Sequence, residues 1–172
     1  KSPAPNVPLS GAKHSLLEGG IRVPLMVRGP SIEAGSVCRV PVAGYDFLPT
    51  FFELAGGKGK LSDELDGGSF VTLFSDPKTD SVKRPIDGLI FSRPRQGMAV
   101  IRTGQWKLLA DVNAKREIQS AKLFNVVADI AEAHDLSTTH PDKAKQLHTR
   151  LKTYLETVVD PSPTMKRRKN SE

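Results

Sequence analysis

The stretch GLIFSRPRQGMAVIRTGQWKLLADVNAKREIQSAKLFNV, residues 88–126, contains four short apolar-rich segments: GLIFSR, MAVIRT, WKLLAD and AKLFNV. Arg93-Pro94-Arg95-Gln96-Gly97 and Thr103-Gly104-Gln105 separate the first three. Segments of strand length joined by short Gly-bearing connections mark hairpins, so the stretch predicts a four-stranded antiparallel meander. Downstream of His140-Pro141, residues Ala144, Leu147, Leu151, Leu155 and Val158 step by 3, 4, 4 and 3. That is one apolar helix face, and it predicts a C-terminal helix covering one side of the sheet.

The residues upstream read differently. IRVPLMVRG, residues 21–29, is apolar and bounded by Gly20 and Gly29-Pro30. It predicts a strand buried on both faces, as in a parallel sheet, with Pro24 as its weak point. YDFLPTFFELAGG, residues 45–57, predicts a helix. Asp46 is expected to cap it, and Pro49 falls in the first turn, where a missing N–H costs little. Phe47, Leu48, Phe51, Leu54 and Ala55 form its expected buried face, and Gly56-Gly57 its end. SFVTLFSD, residues 69–76, predicts one or two helical turns stopped by Pro77. One strand and one helix cannot close an α/β layer structure, so the rest of that sheet is expected outside this chain. The organisation expected is therefore an α/β portion over residues 1–84, a compact α+β unit over 85–160 and a disordered basic tail over 161–172.

Composition narrows the function. The 172 residues carry 25 Lys and Arg against 19 Asp and Glu, a net charge of +6. Hydrophobic residues at 38% and charged residues at 26% suit a soluble globular domain, and no apolar run has the length of a membrane-spanning helix. KSPAPNVPLSG at the start holds no apolar stretch of the signal-peptide kind. The run Lys166-Arg167-Arg168-Lys169 has no aromatic residue interleaved, which argues against a stacking platform for nucleic acid. Cys38 is the single cysteine, so neither an internal disulfide nor a cysteine zinc site is available. It reads as a buried structural thiol rather than a nucleophile.

Several motifs occur in a fixed order. Lys13 lies five residues ahead of Glu18-Gly19-Gly20, and Arg22-Val23-Pro24, an apolar run and a GPSIEAG turn follow. DFLPTFFELAG, DGGSF, AVIRTGQWKLL and LFNVVADIAEAHDL come next. Over residues 9–158 the series resembles the type I sulfatases, the formylglycine-dependent members of the alkaline phosphatase-like superfamily. The resemblance implies the C-terminal portion of that α/β fold. It also implies that Lys13 is a catalytic residue reaching the sulfate of the substrate. An ammonium there makes sense, because negative charge builds on the bridging oxygen as the S–O bond breaks. Gly19-Gly20 are expected to permit the tight turn that aims the lysine. His14 is a candidate substrate contact. Arg22 is either a substrate ligand or a structural arginine paired with a carboxylate, and Glu18 is expected to be structural.

The chain departs from the family pattern in two respects. The nucleophile motif C/S-x-P-S-R is missing: Cys38 is followed by Arg39-Val40, and SRPRQ fails at Arg95 and Gln96. The calcium ligands the family uses are also missing, so no metal site is assigned to these residues. The resemblance thus implies that formylglycine, calcium ligands and the rest of the catalytic domain lie upstream. Alone, the chain is expected to be inactive and to self-associate through apolar surface left uncovered. Its expected substrate is a sulfate ester, of a sulfated sugar or an aryl alcohol. SRPRQG and DVNAKREIQS hold candidate cleft contacts. The alternatives are a phosphatase or phosphonate hydrolase of the same superfamily and a non-catalytic module for anionic polysaccharide. Family habit places such proteins in the periplasm, outside the cell or in lysosomes, with neither nucleic acid nor membrane as partner.

Overall fold

The computed structural model describes residues 6–59, 61–76 and 78–158. The four apolar segments form strands β1 (Leu89–Arg93), β2 (Met98–Thr103), β3 (Trp106–Val112) and β4 (Ile118–Asn125). They pair antiparallel in the order β1-β2-β3-β4, as the meander reading expects. Gly97 and Gly104 adopt φ of 63° and 53°, the left-handed conformation their turns require.

Strand alternation gives the sheet two distinct faces. One cross-strand row runs Ile90, Ile101, Leu108, Leu123. This face packs against the C-terminal helix, Pro141–Thr157, whose Leu147, Leu151 and Leu155 are buried in the same cluster. The neighbouring row runs Leu89, Arg102, Lys107, Phe124 and faces away from that helix. It is covered too, since Leu89 and Phe124 are buried and Lys107 is fully buried. The cover on this side is the segment around Leu16 and Glu18.

In chain order the helices are α1 (Glu18–Ile21), α2 (Phe47–Leu54) and α3 (Pro141–Thr157), with short 3-10 turns at Gly44–Asp46, Val71–Phe74 and Pro94–Gln96. Four expectations need correction. Residues 22–29 form no strand: they run without ladder partners, and Val23 and Met26 are exposed. A strand exists only where another strand satisfies its N–H and C=O groups, and none of the described residues does so here. The expected buried face of α2 is instead open, with Leu48, Phe51 and Leu54 each more than half exposed, while Pro49 and Thr50 are buried. Cys38 lies in the same uncovered region and is exposed. The Pro77 stop and the basic tail lie outside the described residues.

Asp46 does not cap α2 with its side chain. It is fully buried and accepts N–H groups from Ala43 at 2.7 Å and Gly68 at 3.0 Å. Arg84 closes on it twice, at 2.9 and 2.7 Å, a bidentate pair that offsets the cost of burying the carboxylate. Gly67 and Gly68 let the chain pass through this knot: a Cβ would lie 2.0 Å from the Tyr45 carbonyl oxygen at the first and 2.0 Å from that of Lys83 at the second.

Replacing Leu151, fully buried in the core, by Ala should cost about 2–5 kcal/mol. Leu48→Ala on the open face of α2 should stay within about 0.5 kcal/mol. Urea unfolding of the two variants checks which apolar face is core.

The chain has two tyrosines, and both phenols sit above the ordinary 10.0. Burial pushes Tyr45 up, although it accepts the Ile90 N–H and lies near Arg84. Tyr154 is pushed up to about 12 by burial and by its hydrogen bond to Asp66. The folded state therefore holds both phenols neutral where the unfolded chain ionises. That contribution to stability is whole below pH 10 and is lost as the pH rises towards about 12. Phenolate absorbance of the native chain should show no transition centred at 10, and unfolding in urea should restore one.

Candidate functional site

Lys13 sits on a loop folded tightly on itself. Gly19 N–H donates to the Ser10 carbonyl at 2.7 Å, Ser15 N–H to Ala12 at 2.9 Å and Gly20 N–H to Leu17 at 2.8 Å. Asn6 donates its side-chain amide to the Gly19 carbonyl at 2.7 Å. The two glycines are needed for close approach. A Cβ at Gly19 would lie 2.5 Å from the Gly11 oxygen, and one at Gly20 would lie 2.3 Å from the Ser15 oxygen. His14 takes a left-handed φ of 75°, rare for a residue with a side chain and held here by the loop around it. Lys13 and His14 are both exposed, and Lys13 has no carboxylate partner among the described residues.

A buried charge cluster anchors this loop to the sheet. Glu18, fully buried on α1, places Oε1 3.0 Å from Lys107 Nζ and Oε2 3.0 Å from Arg102. Lys107, fully buried on β3, also lies 2.7 Å from Glu132 Oε1 as an ion pair without hydrogen-bond alignment. Glu132 Oε2 accepts the backbone N–H of Glu18 at 2.6 Å. Two carboxylates thus balance one ammonium and one guanidinium, the arrangement a water-excluded site demands. Burial pushes the Arg102 guanidinium down from its usual range, and Glu18 opposes that. Glu132 reaches the cluster from a left-handed φ of 55°, with Ser10 Oγ donating to the carbonyl of its neighbour Ala131 at 2.5 Å.

The structure places the remaining sequence candidates as follows. Arg22, 45% exposed, lies 3.6 Å from Glu18 Oε2 and lines a cleft that Arg102, Phe70 and Phe91 also border. In SRPRQG, Arg93 Nη2 lies 3.2 Å from His14 Nδ1, joining positions 79 residues apart. In DVNAKREIQS, Ser120 donates to Asp111 and Asn113 to Glu117 within the hairpin, while Arg116 donates to the Val158 carbonyl at the end of α3. The reading of the sequence missed the roles of Lys107, Arg102 and Glu132. The available signal was a lysine inside the apolar WKLL segment, where a buried charge requires partners.

Among the described residues no group of three His, Cys, Asp or Glu side chains could hold a metal ion. The buried carboxylates Glu18, Glu132 and Asp46 are neutralised by Lys107, Arg102 and Arg84 instead.

No family model matches the chain. Arylsulfatase J of Mus musculus is 29% identical over 196 aligned positions, covering 90% of this chain and 32% of its own length. Arylsulfatase K of Danio rerio is 27% identical over 149, covering 84% and 28%. The crystal structure of Ps i-CgsB in complex with k-i-k-neocarrahexaose is 33% identical, superposes with a TM-score of 0.74, and covers 92% of this chain and 34% of that one. The chain belongs to the sulfatases. It has the alkaline phosphatase-like fold of that family and corresponds to its C-terminal portion, spanning about a third of the length of these relatives. The phosphatase, phosphonate-hydrolase and non-catalytic readings are not favoured beside these sulfatase relatives. Among the described residues no helix is long and apolar enough to cross a membrane.

For this sulfatase chain, Lys107→Met should cost about 3–5 kcal/mol, since it leaves two buried carboxylates short of their cation. Urea unfolding at neutral pH measures it. A loss under 1 kcal/mol would show that the cluster is solvated.

Proposed function

We propose that this sulfatase chain supplies the sulfate-contacting lysine of an enzyme that hydrolyses sulfate esters of carbohydrates. One observation supports it above the others: Lys13 is an exposed ammonium without a carboxylate partner among the described residues, on a loop that buried ion pairs hold still. A fixed cation of that kind contributes where charge develops, because it need not reorient as the ester bond breaks. Its three N–H donors suit the non-bridging and bridging oxygens of a sulfate ester. In this reading His14 and Arg22 flank the substrate, His14 beside the sulfate and Arg22 in the cleft it lines.

Carbohydrate as the carrier of the ester draws on the solved relative, which holds k-i-k-neocarrahexaose. Formylglycine, when present, supplies the nucleophile in this reading, and calcium its counter-charge. The residues of this chain provide neither, and their part is to bind and orient the sulfate. The proposal includes the remainder of the catalytic domain as the structural partner, and a secreted, periplasmic or lysosomal setting.

The test is Lys13→Ala in the full-length enzyme, assayed on a sulfated oligosaccharide. Removing one charge-stabilising donor should lower kcat by about 10²–10³-fold with the fold intact by circular dichroism. Activity within tenfold of wild type would reject the role of Lys13.

A further inference from the structure

One contact ties the Lys13 loop to the end of β1: Arg93 Nη2 lies 3.2 Å from Nδ1 of His14, the residue after Lys13. A guanidinium has only N–H groups, so in its contact with Arg93 the His14 Nδ1 must be the acceptor. The Nδ1 lone pair is thereby committed to Arg93. Among the described residues Arg93 and Arg95 have no carboxylate partner, and neither has Lys13. The acidic side chain in the cross-strand row of Arg93 is Asp111, two strands away and already bonded to Ser120. Leu89, Phe91 and Arg93 alternate onto one side of β1, the side that the Lys13 loop covers. The 3-10 turn Pro94–Gln96 and left-handed Gly97 reverse the chain directly after Arg93. His14 itself is held at a left-handed φ, which aligns it with this edge of the sheet.

We infer that Arg93, set by His14, is a specificity residue that binds a second anionic group on the substrate, next to the sulfate held by Lys13. The substrate class is then a sugar carrying at least two anionic groups, such as a disulfated disaccharide unit. This rests on the reading of Lys13 given above. Among the described residues no carboxylate uses the charge of Arg93, and a bidentate guanidinium matches a sulfate or carboxylate. The same donors would not distinguish a neutral sugar.

Titration calorimetry of the full-length enzyme at low salt, with inorganic sulfate and with a disulfated disaccharide as probes, tests it. Wild type should bind the disaccharide at least about tenfold more tightly than sulfate, as an added charge-assisted pair implies. Arg93→Gln should bring the ratio of the two affinities close to one, and Arg93→Lys should restore part of it. A ratio unchanged in R93Q, or no preference in wild type, overturns the inference. So does an equal loss in Lys145→Gln on the exposed side of α3, which would assign the effect to net charge alone. Lys13→Ala separates the two readings: if it weakens neither probe, the role of Lys13 fails while the Arg93 result stands on its own.

Discussion

The ammonium of Lys107, held between Glu18 and Glu132, is the constraint on which the rest of the arrangement depends. Lys107 projects from an inner strand of a four-stranded sheet, on the face opposite α3. An unpaired charge there would be intolerable, so two carboxylates must come to it. One arrives on the first helical turn of the chain and brings the Lys13 loop with it. The other arrives from the segment after β4 at a strained backbone angle. The cluster also guards the strand register. A slip of one residue in β3 would turn Lys107 into the leucine layer under α3 and empty the charged site.

Asp46 and Arg84 repeat the logic in the other half of the chain. A buried carboxylate gathers two backbone N–H groups and a bidentate guanidinium, and so draws the segments near residues 43, 68 and 84 to one point. Gly67 and Gly68 are glycine because backbone passes where a Cβ would sit. Both knots place charge at the join between segments.

The sheet and α3 were legible because their signals are local. Short apolar-rich segments, short Gly-bearing turns and a 3-4-4-3 apolar step each report a surface that this chain covers by itself. IRVPLMVRG and the apolar side of α2 carry the same kind of signal, yet Met26 and Phe51 are exposed. Apolarity states that a surface is to be buried but does not name what buries it, and the partner is missing among the described residues. Glu18 was read as structural from its motif. Lys107 and Glu132 were not read at all, because a lysine paired with glutamates 89 and 25 residues away leaves no periodic trace. The meeting of His14 with Arg93 was equally invisible: both lie in motifs, but only the fold brings the motifs together.

The distance in sequence between the two glutamates has a consequence for biosynthesis. Glu18 takes its backbone partner from Glu132, 114 residues later. A nascent chain therefore carries the first carboxylate hydrated and unpaired until β3 and the segment beyond β4 have left the ribosome. The Lys13 loop is translated before the strands and the Glu132 segment that fix it. Ordering of that loop thus waits on completion of the C-terminal sheet, and a ribosome stalled before residue 132 would leave the Lys13 loop without its Glu132 anchor.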